Sequence, residues 1–279
     1  MKLYKYKKVA FLLYKKEWYQ KATDWDELIN QQHLFDAIKG DLSNWKKLEH
    51  KPHLGSDAPI GNQEVWAAGV TYLKSKEARM EEAKEAGGGD FYNRVYDAER
   101  PEIFFKATAA RTVGNGDTVY IRRDSTWNVP EPELTLFCSS AGTIEGYSIG
   151  NDMSSRSIEG ENPLYLPQAK TYERSAGLGP CLLIVKKPLP KTTIIAMDIF
   201  RGDKKLYHDK VAISQIKRSF DELVEYLFRE CNFPNGCFLM TGTCLVPDDS
   251  FTLQVGDEIR IRIEGIGELV NFVGKRVNG

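Results

Sequence analysis

Three carboxylates stand between Asn128 and Asp152 at a spacing that would bring them together. Glu131 and Glu133 open an apolar run, and residues i and i+2 of a strand point to the same face. A polar turn at 139–142 precedes a second run that ends at Asp152, so a hairpin would return Asp152 to both glutamates. Converging carboxylates repel unless a cation lies among them, and hard oxygen ligands suit Mg²⁺, Mn²⁺ or Ca²⁺ better than Zn²⁺. The alternative is that Glu-x-Glu forms a solvated strand face.

The composition narrows the class of protein. Of 279 residues, 42% are apolar and 28% are charged, as in ordinary globular proteins, and the net charge is −1. This charge gives no electrostatic footprint for nucleic acid or an anionic membrane, and no apolar run is long enough to span a bilayer. The five cysteines include no C-x-x-C, and the four histidines lack zincin spacing. We therefore expect a cytoplasmic protein with no nucleic-acid or membrane partner.

The elements that position these carboxylates fall into two predicted domains. Residues 1–60 read as a small N-terminal α+β domain that ends in a segment rich in proline and glycine. Residues 61–279 contain mostly strands, with one amphipathic helix at 215–231 that Ser214 would cap. The pattern disfavours a doubly wound parallel sheet and favours an α+β fold, with mixed sheets and appended helices.

Several polar residues lack an evident structural reason. Glu102 and Lys106 lie in an otherwise apolar strand, and Lys170 ends a long segment, 159–172, that reads as a loop. Residues 73–97 form a polar helical pattern interrupted by three consecutive glycines. This segment could be a mobile lid or a solvent-facing insertion, and the sequence favours neither.

Seven separated motifs occur in an order that resembles one family, the fumarylacetoacetate hydrolase superfamily, over roughly residues 64–275. They are PEIFFKAT (101–108), EPELTL (131–136), GYSIGNDMSSR (146–156), Lys170, LGP (178–180), TGT (241–243) and LQVGDEIRIRIEGIGELVN (253–271). The resemblance implies a mixed β-sandwich roll for residues 61–279. It also implies that Glu131, Glu133 and Asp152 bind a divalent metal, usually Mg²⁺.

One departure from the family's pattern bears on the reaction. Hydrolase and decarboxylase members commonly carry G-x-N-Y-x-x-H-A-x-E after the first core strand, and here Ser75 and Ala78 replace its His and Glu. Without that pair, a water nucleophile has no obvious base. The subgroup most similar to this chain is 2-keto-3-deoxy-D-arabinonate dehydratase, through VYDAERPEIFFKAT (95–108), WNVPEPEL (127–134) and ENPLYLPQAKTY (161–172).

The subgroup resemblance implies a magnesium-dependent hydro-lyase that converts 2-keto-3-deoxy-arabinonate to 2,5-dioxopentanoate through a metal-stabilised enolate. Glu102 and Lys170 would be its acid–base pair, in either order. Thr243 would hydrogen-bond the substrate, and Lys106 and Arg156 would neutralise its carboxylate, although Arg156 could equally pair with a metal ligand. Family members are usually dimers or tetramers, so a homodimer or homotetramer is expected.

Other functions stay open at this point. The same superfamily includes acylpyruvate hydrolases, oxaloacetate decarboxylases and dienoate isomerases, because one fold can carry several reactions. A protein of another class, a non-catalytic binding protein stabilised by metal, would gain thermal stability from the ion but none from a keto acid.

Overall fold

The computed structural model describes residues 1–72 and 95–277. The predicted lid, residues 73–97, lies outside the described residues except for 95–97, and so do Ser75 and Ala78. Among the helices that are described, none has the length and hydropathy needed to cross a membrane.

Strands predominate in the described part of the chain. In chain order they are β1 (Lys2–Tyr6), β2 (Val9–Tyr14), β3 (Glu17–Ala22), β4 (Lys46–Leu48), β5 (Glu64–Gly69), β6 (Glu102–Thr108), β7 (Thr112–Val113), β8 (Asp117–Ile121), β9 (Asn128–Val129), β10 (Pro132–Cys138), β11 (Ile144–Asp152), β12 (Ser154–Ser155), β13 (Ala176–Leu183), β14 (Ile194–Arg201), β15 (Lys204–Ala212), β16 (Cys237–Met240), β17 (Glu258–Ile263) and β18 (Gly267–Lys275). The α-helices are α1 (Trp25–Ile29), α2 (Leu34–Gly40), α3 (Arg156–Glu161), α4 (Leu166–Lys170) and α5 (Phe220–Phe228).

The described strands form sheets of eleven, five and two strands. The largest runs β4-β3-β2-β1-β13-β11-β10-β16-β5-β6, with β7 beside β13, and includes both parallel and antiparallel pairs. The second runs β15-β14-β17-β18-β8, and the third pairs β12 with β9. These mixed sheets confirm the predicted α+β class.

The core between the two large sheets explains which strands are buried along their whole length. Every residue of β10 is buried, because this central strand is covered on both faces. In β17, by contrast, the sequence EIRIRI alternates, and only its isoleucines are buried. Leu134 and Leu136 of β10 pack in one core with Ile259 and Ile261 of β17.

The N-terminal strands continue the large sheet, since β1 pairs antiparallel with β13 through Leu3 and Leu182. Residues of 1–60 also share a core with residues of β13 and β16. The division into domains at residue 60 stays a prediction.

The amphipathic helix is shorter than predicted. Helix α5 begins at Phe220, and Ser219, not Ser214, is its N-cap, accepting a hydrogen bond from the Glu222 amide. The predicted start at Gln215 was wrong because residues 213–217 make other backbone hydrogen bonds instead of those of an α-helix. Ile213–Gln215 form a 3₁₀ turn, and the Lys217 amide bonds to Thr71 O.

Candidate metal centre and active site

The hairpin of β10 and β11 brings the three predicted carboxylates together. The antiparallel register places Glu133 opposite Gly150 and Pro132 opposite Asn151, so Asp152 returns beside Glu131. Carboxylate oxygens of Glu131, Glu133 and Asp152 all lie within 4.8 Å of one another. All three side chains are buried, so the alternative of a solvated strand face is wrong.

Three cations from other elements also reach this cluster. Lys106 comes from β6, Arg156 begins α3 and Lys170 ends α4. Each forms an ion pair with Glu131 or Asp152. The formal charges of the three carboxylates and these three cations therefore balance. Repulsion alone does not require a metal, and the case for one rests on the donors and their geometry.

Lys106 is completely buried beneath Asp152. Its Nζ lies 2.6 Å from Asp152 Oδ1 and donates to Met153 O at 2.9 Å and to Lys170 O. Burial lowers the pKa of Lys106, and the nearby Asp152 carboxylate opposes that shift. The ammonium is thus held by two backbone carbonyls and one carboxylate, and contact of Lys106 with a substrate stays a prediction.

Lys170 lies among the carboxylates. Its Nζ is 2.5 Å from Glu131 Oε2, 3.1 Å from Asp152 Oδ2 and 2.6 Å from Ser154 Oγ. The residue ends a short helix rather than the predicted loop, and that helix buries the side chain fully. A lysine held in this way can move a proton directly beside the metal-ligand candidates.

Arg156 pairs with a candidate metal ligand, as one of the two sequence alternatives predicted. Its Nη2 lies 2.6 Å from Glu131 Oε1, and its Nε lies 3.9 Å from Glu159 Oε2. The side chain also lines the cleft, so contact with a substrate carboxylate stays a prediction.

Among the described residues, Glu133 is contacted by a backbone donor and not by an ion-pair partner. The Gly242 N–H donates to its Oε2 at 2.5 Å. Burial raises the pKa of Glu133 well above its ordinary value, and the neighbouring carboxylates of Asp152 and Glu131 raise it further. A cation bound among the three acids would relieve that repulsion.

A narrow cleft opens over the cluster. Its wall includes all three carboxylates, Arg156, Lys170 and Thr243, together with Phe104 and the backbone of 68–70 and 242. Among the described residues, the cleft is therefore lined by three carboxylates together with a lysine, an arginine and a hydroxyl group.

Glu102 is partly exposed, whereas Lys170 is fully buried. It shares a face of β6 with Phe104 and Lys106, because these residues alternate along the strand. Phe104 lines the cleft, and the carboxylate of Glu102 packs so closely on Gly69 that a Cβ there would lie 1.9 Å from its Oε2. The strand therefore aims Glu102 to the cleft side, one alternation beyond Phe104.

The donor set fits a hard divalent cation. Oxygens around one Mg²⁺ stand at about 2.1 Å from it, so no two are more than about 4.2 Å apart. The observed limit of 4.8 Å requires only small movements of the side chains to reach that geometry. Carboxylates without Cys or His in the group favour Mg²⁺, Mn²⁺ or Ca²⁺ over Zn²⁺.

Three contributors to the site were not predicted. Ser154 accepts from Lys170, Gly242 donates to Glu133, and Thr71 bonds to the carbonyl of Thr241. Ser154 and Gly242 lie inside motifs that carried the resemblance, which was the available signal. Thr71 stands at the Asn position of the stretch aligned with G-x-N-Y-x-x-H-A-x-E, but its contact is made across 170 positions of the chain, so no local pattern predicted it.

Comparison with known proteins agrees with this geometry. Residues 64–274 match the family model described as fumarylacetoacetate (FAA) hydrolase C-terminal. A Haloferax volcanii protein named as a probable 2-keto-3-deoxyxylonate dehydratase is 50% identical over 216 residues, 77% of this chain and 73% of the relative. The 2-dehydro-3-deoxy-D-arabinonate dehydratase of Saccharolobus solfataricus is 40% identical over 252 residues, 88% of this chain and 84% of the relative.

A solved structure of 2-keto-3-deoxy-D-arabinonate dehydratase, complexed with magnesium and 2,5-dioxopentanoate, has the same fold. It matches 100% of both chains with a TM-score of 0.84 and 32% identity. The predicted β-sandwich roll is thereby confirmed. The chain belongs to the fumarylacetoacetate hydrolase family.

Proposed function

We propose that this protein is a magnesium-dependent dehydratase of 2-keto-3-deoxy sugar acids, with conversion of 2-keto-3-deoxy-arabinonate to 2,5-dioxopentanoate as its reaction. The observation that carries the proposal is the buried carboxylate cluster with Lys170 Nζ 2.5 Å from Glu131. Two relatives at 50% and 40% identity, both named dehydratases of such acids, support the substrate class.

Glu131, Glu133 and Asp152 would hold the Mg²⁺ ion, and Mn²⁺ or Ca²⁺ could replace it. When bound, the ion stabilises the negative charge that develops at the keto oxygen as a C3 proton leaves. The surrounding protein keeps the three ligands dry and oriented. Lys106 fixes Asp152, Arg156 fixes Glu131, and the backbone of Gly242 fixes Glu133.

Lys170 and Glu102 would exchange the protons. Lys170 lies among the ligands, where the 2-keto end of the substrate binds, and so would take the proton from C3 as general base. Glu102 is partly exposed on β6, and would give a proton to the C4 hydroxyl as it leaves as water. A single C3–H bond and a single C4–O bond break, and the resulting unsaturated acid isomerises to the aldehyde product.

Thr243 and Arg156 would orient the substrate. Thr243 Oγ1 accepts from the Leu245 amide at 3.2 Å, which leaves its hydroxyl proton to donate into the cleft. Arg156 lines the same wall and can share its guanidinium between Glu131 and a substrate carboxylate. Lys106 would contribute positive charge next to Asp152.

We propose a cytoplasmic homodimer or homotetramer. The five cysteines are free, as expected in a reducing compartment. Light scattering after size-exclusion chromatography distinguishes these states from a monomer.

A substrate panel tests the proposed reaction. The purified protein with Mg²⁺ is given 2-keto-3-deoxy-arabinonate, which is the same compound as 2-keto-3-deoxy-xylonate of the same series because only C4 stays chiral, and separately an acylpyruvate, oxaloacetate and a hydroxymuconate-type dienoate. We expect aldehyde from the deoxy acid at a rate at least about 100-fold above that of any other conversion, since Lys170 and Glu102 would serve as base and acid in an elimination. Faster release of pyruvate or CO₂, or faster isomerisation of the dienoate, would assign the protein to another reaction of the family. Binding of Mg²⁺ without turnover of any of them would favour a non-catalytic protein.

A further inference from the structure

One peptide group connects the metal-ligand candidate Glu133 to a residue on another strand end. The N–H of Gly242 donates to Glu133 Oε2 at 2.5 Å. The carbonyl of the same peptide group, Thr241 O, accepts from Thr71 Oγ1 at 2.7 Å. The hydroxyl of Thr71 and the carboxylate of Glu133 therefore bind opposite ends of a single peptide dipole.

Close contacts and hydrogen bonds on both sides fix the orientation of this peptide group. Gly242 has φ +92°, and a Cβ at that position would lie 2.0 Å from Thr71 Oγ1. On the other side, the amide and the hydroxyl of Thr241 both donate to Leu134 O, at 3.0 and 2.9 Å. The approach of Thr71 is thus close enough to require glycine at 242.

The backbone that delivers Thr71 is itself unusual. Val70 has φ +53°, a strained conformation that β-branched residues rarely adopt. It is held there because the Lys217 amide donates to Thr71 O at 2.9 Å and because Val70 packs on Val95 and Tyr96. Strain of this kind persists where a neighbouring residue must be placed accurately.

We infer that Thr71 is a positioning residue for Glu133, acting through the Thr241–Gly242 peptide group. A hydrogen bond to the carbonyl polarises the peptide and strengthens its N–H as a donor. That donor then fixes one oxygen of Glu133, which leaves the other oxygen for the metal. Groups that orient metal ligands in this way commonly contribute 10- to 100-fold in affinity. The inference rests on the proposed metal site but not on the identity of the substrate.

Calorimetric titration of the metal-free protein with Mg²⁺, and separately with Mn²⁺, tests the inference without any substrate. Thr71→Val keeps the shape and removes the hydroxyl, and we expect its Kd for metal to rise about 10-fold or more. Thr71→Ser restores the hydroxyl and should bind metal within about twofold of wild type. Ser148→Ala is a matched control, because its buried hydroxyl donates to Cys181 O at 3.0 Å and to Gly179 O at 3.3 Å. It should lower stability while leaving the Kd for metal unchanged.

Two outcomes would overturn the inference: wild-type metal affinity in Thr71→Val, or equal losses in Thr71→Val and Thr71→Ser. If Thr71→Val does not fold, Thr71→Ala is measured in its place under the same criteria. A wild-type protein that binds Mg²⁺ but does not dehydrate any keto acid contradicts the proposed function and leaves the inference on Thr71 standing. A wild-type protein that binds neither metal contradicts both.

Discussion

Lys106 and Asp152 form an ion pair with no access to water, with 2.6 Å between Nζ and Oδ1 and side-chain exposures of 0% and 1%. Such a pair contributes little when intact, because both charges lose their hydration. Removal of one partner lowers the stability of the fold, because the charge of the other partner stays buried. Lys106 therefore both orients the metal-ligand candidate Asp152 and affects the stability of the fold.

Replacement of Lys106 by Met should expose that dependence. We expect the free energy of unfolding without metal to fall by about 3 kcal/mol, since the buried Asp152 carboxylate loses one of its two lysine partners. Mg²⁺ should recover part of the loss, because the ion supplies positive charge at the same carboxylate. Urea denaturation in EDTA and in Mg²⁺ measures both effects. Equal stability of Lys106→Met and wild type in EDTA would show that the pair does not hold Asp152.

The raised pKa of Glu133 predicts how stability depends on pH. Burial is the main cause, and Asp152 and Glu131 add to it. A carboxyl group whose pKa is higher in the folded state contributes stability that is present below its unfolded pKa and is lost as pH rises through the folded pKa. The metal-free wild type should therefore lose stability, relative to Glu133→Gln, as pH rises above 4.5.

The same titration should govern metal binding, because Mg²⁺ requires the ionised carboxylate. The affinity of wild type for Mg²⁺ should strengthen as pH rises through the raised pKa of Glu133. Thermal unfolding with and without Mg²⁺ across pH 5–9 follows both effects in one experiment. If the stability of metal-free wild type and of Glu133→Gln depended on pH in the same way, the raised pKa of Glu133 would be contradicted.

Local patterns in the sequence were sufficient to predict that the three carboxylates at the centre of the site come together. Glu131 and Glu133 alternate in a strand, and a polar turn returns Asp152, so a short-range rule predicted their convergence correctly. The cations around them could be named from the motifs, but their contacts could not. Lys106 pairs with Asp152 across 46 positions of the chain, although β6 and β11 stand four strands apart in the sheet order, so no local pattern could predict the contact.

The fold class could be read from the strand pattern, whereas element ends were less accurate. Ser214 and Ser219 both precede an apolar period, and the choice of Ser219 as N-cap depends on contacts of 213–217 with distant parts of the chain. Lys170 was predicted to lie at the end of a loop, 159–172, a segment that contains Pro163 and Pro167. Both prolines instead lie in the first turns of short helices, where proline is tolerated.

Glu102 and Lys170 should separate chemistry from metal binding. Glu102→Gln should reduce kcat by about 10²- to 10⁴-fold, the usual contribution of a general acid, with metal affinity within about twofold of wild type. Lys170→Ala should reduce kcat by a similar factor and also alter metal affinity, because its ammonium contacts Glu131 and Asp152. Steady-state kinetics and calorimetry on both variants decide the matter. A near wild-type rate in either variant would remove that residue from the acid–base pair.

The most direct test of the central claim is the rate at which 2,5-dioxopentanoate forms from 2-keto-3-deoxy-arabinonate before and after metal removal. The protein is stripped with EDTA and dialysed, and Mg²⁺ is then returned to wild type and to Glu133→Gln. We expect the rate to fall about 100-fold or more on stripping, to recover with Mg²⁺ in wild type, and not to recover in Glu133→Gln. A full rate in the stripped protein, or in Glu133→Gln, would contradict a metal-dependent dehydratase built on these three carboxylates.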